Sequence, residues 1–145
     1  MKFQFWDTSG QEVYKSIAPG YYRGALGAIF VVDLTTSEHL ERIVGWLKTC
    51  FETTGTEICK VLLGNKTDLP ESREITTEQL KSIADQYKMP FFEVSAKSGE
   101  KVEDGFMTLL KEIKTKHYAE VKRPEPMSLK KPENKEESDG SSCPC

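Results

Sequence analysis

The 145-residue chain is short of cysteine and histidine, has no long apolar run, and carries almost no excess of either charge. Its four cysteines, Cys50, Cys59, Cys143 and Cys145, are too few for a disulfide-dense secreted module and too scattered for a zinc ribbon. Its two histidines, His39 and His117, stand without partner ligands and read as structural. No apolar stretch approaches the roughly 18 residues that a membrane helix needs, and the first residues lack the pattern of a signal peptide. With 20 basic and 23 acidic residues the formal charge is −3. That balance offers no basic field for nucleic acid and no acidic block typical of a solvating, disordered chain. These absences point to one soluble domain of a reducing compartment.

What is present is unevenly placed. Residues 121–145 hold four of the seven prolines and five charges of each sign, but among apolar residues only Val121, Met127, Leu129, Cys143 and Cys145. Such a stretch buries too little surface to offset its ordering entropy, so it reads as a flexible tail behind a domain over residues 1–120.

Within that domain, residues 26–32, 58–63 and 91–94 are short apolar runs. Continuous rather than alternating, they predict strands of a parallel sheet covered on both faces. Between them lie helical periodicities. Ser37 is a candidate N-cap ahead of Leu40, Ile43, Val44, Leu47 and Phe51. Thr76 and Gln79 form a capping-box pattern before Leu80, Ile83, Ala84 and Tyr87. Val102, Phe106, Leu109, Leu110, Ile113 and His117 make a third stripe. Phe3 and Phe5, alternating with polar neighbours, predict an opening strand with one wetter face. Strand–helix alternation of this kind gives an α/β fold with right-handed crossovers. Cys50, Cys59 and Trp46 fall on core-facing positions and read as packing.

In such sheets ligands bind beyond the C-terminal strand ends, which selects four loops: residues 7–12, 33–37, 65–68 and 95–97. In the first, Asp7 could hold Mg²⁺ through its waters. Gly10 could let a backbone N–H approach a terminal phosphate, and Gln11 could orient a water. The same residues also suit a plain strand-to-helix turn capped by Asp7. In the third loop the Asp68 carboxylate can accept from N1–H and the exocyclic amine of guanine, a donor pair that adenine lacks. Asn65 can meet another edge of the base and the Lys66 stem can lie over the ring; a solvated turn is the alternative. In the fourth, a backbone N–H within Ser95, Ala96 and Lys97 could donate to the guanine carbonyl. The loop at residues 33–37 carries no such motif.

The order and spacing of these words resemble the Rab branch of the Ras-superfamily small GTPases. The matching residues are Trp6 to Glu12, Asn65-Lys66-Thr67-Asp68 and Ser95-Ala96-Lys97, with Tyr21-Tyr22-Arg23-Gly24-Ala25 characteristic of Rabs. The resemblance covers residues 2–120. It departs at Ser9, where Ala is usual, and at Val13, where Arg is common.

The resemblance implies a Ras-like, P-loop NTPase-type G domain of three α/β/α layers, acting as a GTP/GDP switch with Mg²⁺ in vesicle traffic. It assigns Gln11 to catalysis, and Asp7, Gly10, Asn65, Lys66, Asp68, Ser95, Ala96 and Lys97 to the nucleotide. Trp6 and Tyr21 fall to an effector-reading surface. Cys143 and Cys145 would carry geranylgeranyl groups, holding the protein on the cytosolic face of an intracellular membrane. Escort protein, GDP-dissociation inhibitor, exchange factors, GTPase-activating proteins and effectors are the implied partners.

No Gly-x4-Gly-Lys-Ser/Thr occurs in the 145 residues. Against the family pattern the chain starts at the third strand, without the first strand, phosphate loop, first helix, switch I and second strand. The expectations that follow are marginal stability and no hydrolysis by this chain alone. A non-catalytic prenylated binding module and an incomplete gene model are the competing readings.

Overall fold

A computed structural model of the chain describes residues 2–8, 20 and 22–118. Three parallel strands form a sheet in the order β1 (Gly27–Asp33), β2 (Cys59–Asn65), β3 (Phe91–Glu93). Helices α1 (His39–Thr54), α2 (Thr77–Gln86) and α3 (Val102–Tyr118) alternate with them, and a 3-10 turn, Pro70–Ser72, precedes α2. The predicted strands at 26–32, 58–63 and 91–94 are thus present with ends shifted by one or two residues, and the fold is α/β as expected.

The sheet is the middle of three layers. Phe30, Val32 and Leu62 bury against Ile43, Leu47 and Cys50 of α1 and Leu80 and Ala84 of α2. On the opposite face Val61, Leu63 and Cys59 pack with Leu109 and Ile113 of α3. This two-sided burial is why β2 reads as a continuous apolar run. The close fit of α3 depends on Gly105, where a Cβ would come within 2.6 Å of the Leu63 side chain. Cys50 and Cys59 are buried free thiols and Trp46 packs on the α1 side, all as expected of core residues. No helix among the described residues is long and apolar enough to cross a membrane.

The capping signals at Thr76 and Ser37 have different outcomes. Thr76 and Gln79 form the full capping box: Gln79 N–H donates to Thr76 Oγ1 at 3.3 Å and Thr76 N–H to Gln79 Oε1 at 2.8 Å. Ser37 is not the cap of α1. Glu38 occupies that position without a side-chain cap bond, and Ser37 instead turns both its hydroxyl and its N–H (2.8 Å to Oε2) to Glu74. The α3 stripe ends at Ile113, since His117 is exposed.

The larger correction concerns residues 3–6, which do not form a strand. A strand needs a neighbour for its backbone groups, and no described segment pairs with this one. Apolar packing helps to place it: Phe3 packs on the α3-side core and the Phe5 ring lies 5.3 Å from that of Phe106. Between this segment and β1 lies a cavity of about 390 Å³, walled further by Leu109 and Ile113.

The outer edge of β1 borders that cavity. Leu26 C=O accepts from Cys59 N–H, and Leu34 N–H donates to Asn65 C=O. In a parallel ladder this parity turns the even-numbered residues of β1 toward β2. The N–H and C=O groups of Gly27, Ile29 and Val31 therefore point the other way, where no described strand pairs with them. Val31 is 56% exposed.

Candidate functional site

The C-terminal ends of adjacent parallel strands lie side by side, so β2 and β3 bring residues 65–68 next to residues 95–97. Pairing continues past both strands, as Val94 N–H donates to Gly64 C=O at 2.7 Å and Thr67 N–H donates to Val94 C=O at 3.2 Å. Gly64 makes room for this junction, because a Cβ there would meet Leu80 and Leu34 at 2.8 and 2.9 Å.

Side chains then tie the two loops together. Ser95, fully buried, donates its hydroxyl to Asp68 Oδ1 at 2.6 Å and accepts from Ser98 N–H at 3.1 Å. Ala96 N–H donates to Asn65 Oδ1 at 2.9 Å. Lys97 Nζ lies 3.9 Å from Asp68 Oδ2. The Ser95 hydroxyl bond, with help from the two lysines, holds the Asp68 carboxyl below the usual carboxylate range and keeps it ionised at neutral pH. Asn65, Lys66, Asp68, Leu69, Ala96 and Lys97 surround a cavity of about 310 Å³. Its polar lining comprises the Asp68 carboxylate, the Asn65 amide with the Ala96 N–H bonded to it, and the Lys66 and Lys97 side chains. Such a set suits a planar ligand with adjacent N–H donors and a nearby carbonyl.

Asp33, from the loop that carried no motif, does not line the cavity but holds one of the residues that does, Lys66. Its Oδ2 lies 2.6 Å from Lys66 Nζ, while Oδ1 accepts from the Thr35 backbone N–H at 2.9 Å and the Thr35 hydroxyl at 2.7 Å. Partial burial pushes the Asp33 carboxyl up, but the Lys66 ammonium and Thr35 donors outweigh it and hold it below the ordinary range. The strand-end rule selected this loop; only the three-dimensional pairing shows which residue in it matters.

Of the other expected residues, the structure describes Asp7 and Trp6, and neither lines this cradle. Asp7 is exposed and borders neither cavity. Trp6 is 67% exposed beside the larger cavity, whose walls are mainly apolar. Gly10, Gln11, Tyr21, Cys143 and Cys145 lie outside the described residues. Among the described residues no cluster of three acidic, His or Cys groups could hold a metal ion. Asp7 by itself does not make a Mg²⁺ site, so no chemical step is assigned to one.

The sequence profile of the Ras family matches residues 1–115. The Ras-related protein RABD1 of Arabidopsis thaliana is 42% identical over 116 residues, 80% of this chain and 57% of that protein. Rab-13 of Rattus norvegicus is 41% identical over 113 residues, 78% of this chain and 56% of that protein. Rab-8B of Homo sapiens is 38% identical over 116 residues, with 80% and 56% covered. The chain thus spans a little over half the length of these relatives.

Proposed function

The chain belongs to the Ras family, in its Rab branch, and on that premise we propose that residues 65–68 and 95–97 form the guanine-recognising half of a GTP/GDP switch. The observation that carries this reading is the cradle in which Ser95 and Asn65 fix Asp68 and Ala96 relative to one another. Asp68 would accept from N1–H and the exocyclic amine of guanine. Adenine has no matching donor pair, so the same carboxylate rejects it. The Lys66 stem would cover one face of the ring, and a base carbonyl would compete with Asn65 for the Ala96 N–H.

This half site is weak alone. Two charge-assisted hydrogen bonds at roughly 1.5–3 kcal/mol each total about 3–6 kcal/mol. That corresponds to roughly millimolar or high-micromolar binding before ordering costs. The 145 residues contain no glycine loop with its lysine to neutralise phosphates. We therefore expect this polypeptide on its own to bind guanine weakly and not to hydrolyse GTP.

In a polypeptide that also supplies the phosphate side, Gly10 would approach the terminal phosphate and Gln11 the attacking water. Such a protein would act in vesicle traffic, anchored through geranylgeranyl groups on Cys143 and Cys145 to the cytosolic face of a membrane. Trp6 and Tyr21 would face effectors, while escort protein, GDP-dissociation inhibitor, exchange factors and activating proteins would bind the same domain. Titrating the purified 145-residue chain with a fluorescent GDP analogue tests the weaker claim. Weak binding indifferent to Mg²⁺ is expected; tight Mg²⁺-dependent binding would contradict it.

A further inference from the structure

The register of the sheet sets Asp33, the last residue of β1, directly beside Asn65, the last of β2. Lys66 follows in the left-handed backbone region at φ 75°, a conformation that a long side chain holds only where its surroundings impose it. Its far end is held as well, by the 2.6 Å contact of Nζ with Asp33 Oδ2. We propose that Asp33 is a positioning residue of the guanine site, holding the Lys66 ammonium so that the Lys66 stem stands as one wall of the cavity before a base arrives. This inference rests on the base-site reading above and adds to it a residue outside its two loops.

Three observations carry it. Asp33 is itself fixed, because both donors of Thr35 converge on Oδ1 and leave Oδ2 for Lys66. The acceptor is thus preset and does not follow the lysine's motion. Lys66 lies within electrostatic reach of Asp68, the carboxylate that must meet the base. Paired with Asp33, the Lys66 ammonium sits beside the end of β1 and acts on Asp68 only through space. Finally, the Lys66 side chain is still 45% exposed, and an ion pair so accessible to water contributes little stability. Its consequence is order: a lysine anchored at both ends has already lost the rotamer freedom that binding would otherwise remove.

Titration of the ¹⁵N-labelled 145-residue chain with GMP, using AMP as the base control, tests the inference by nuclear magnetic resonance. The chains compared are the unsubstituted protein, D33N, K66M and D33N/K66M. Asn keeps an oxygen for the Thr35 donors while removing the charge. D33N is expected to weaken GMP roughly two- to twelvefold, the span associated with ordering one long side chain. In the K66M background, D33N should change nothing, because the path through Lys66 is gone. GMP affinity unchanged in D33N, or an equal loss in both backgrounds, overturns the positioning role and leaves the base site standing. Failure of the unsubstituted chain to prefer GMP over AMP overturns the base-site reading and this inference with it.

Discussion

The two ends of the sheet are built differently. Where β2 and β3 end, backbone ladder, side-chain hydroxyl, carboxylate and amide interlock, and Asn65, Asp68, Ser95 and Ala96 are each held by a named partner. Across the cavity beside β1, the contacts seen for residues 2–6 are apolar packing of Phe5 on Phe106 and of Phe3 on the α3-side core. No strand described there closes the ladder. The difference shows what makes a site. Apolar contact locates a segment, whereas directional bonds fix an atom to a fraction of an ångström, as recognition of a base edge requires.

The largest expected effect separates the two regions by stability. Leu62→Ala, in the centre of β2 and fully buried, should cost about 2–5 kcal/mol. Phe5→Ala, at a side chain already 56% exposed, should cost less than about 1.5 kcal/mol, because little apolar surface is returned to water. Denaturant midpoints of the two variants measure this, and equal losses would show that residues 2–6 are as firmly built in as β2. Next in size is Ser95→Ala, which strips Asp68 and Ser98 of a buried partner and should cost about 1–3 kcal/mol. It should lower guanine affinity too, which Phe5→Ala should not.

Acid gives a smaller, graded effect. The Arg73 guanidinium, bonded to both oxygens of Glu93, holds that carboxyl below its ordinary range, and Ser95 and Lys66 with Thr35 do the same for Asp68 and Asp33. A carboxyl whose pKa is lowered on folding contributes stability that is present above its unfolded value. That contribution is lost as pH falls through the folded one. Stability should therefore decline as pH drops below about 4, and Glu93→Gln should flatten part of that decline in denaturation curves.

Hydrogen exchange sharpens the comparison residue by residue. Amides of Ala28, Phe30 and Val32, turned toward β2, should exchange more slowly than those of Gly27, Ile29 and Val31 on the open edge.

Much of this was legible in the sequence because local rules act over a few residues. The apolar runs marked β1, β2 and β3, and Thr76 with Gln79 marked the start of α2. The two loops of the cradle carried their own words. What the sequence hid depends on distant partners. Alternation at Phe3 and Phe5 describes one segment's faces, but a strand is a property of two segments, and the second is absent from those described. Ser37 has the chemistry of a cap, but Glu74 takes its hydroxyl as well as its N–H. Asp33 looks like any strand-end aspartate until the sheet register sets it beside Asn65 and within reach of Lys66.

We propose that this polypeptide recognises the base of a guanine nucleotide without a glycine-loop lysine to hold its phosphates. That is tested most directly by comparing guanosine, GMP and GDP, with and without Mg²⁺, against the same 145-residue chain. If base contacts carry the affinity, the three ligands should bind within about threefold of one another, weakly, with adenosine weaker still and Mg²⁺ without effect. GDP binding orders of magnitude tighter than guanosine, and dependent on Mg²⁺, would contradict the account.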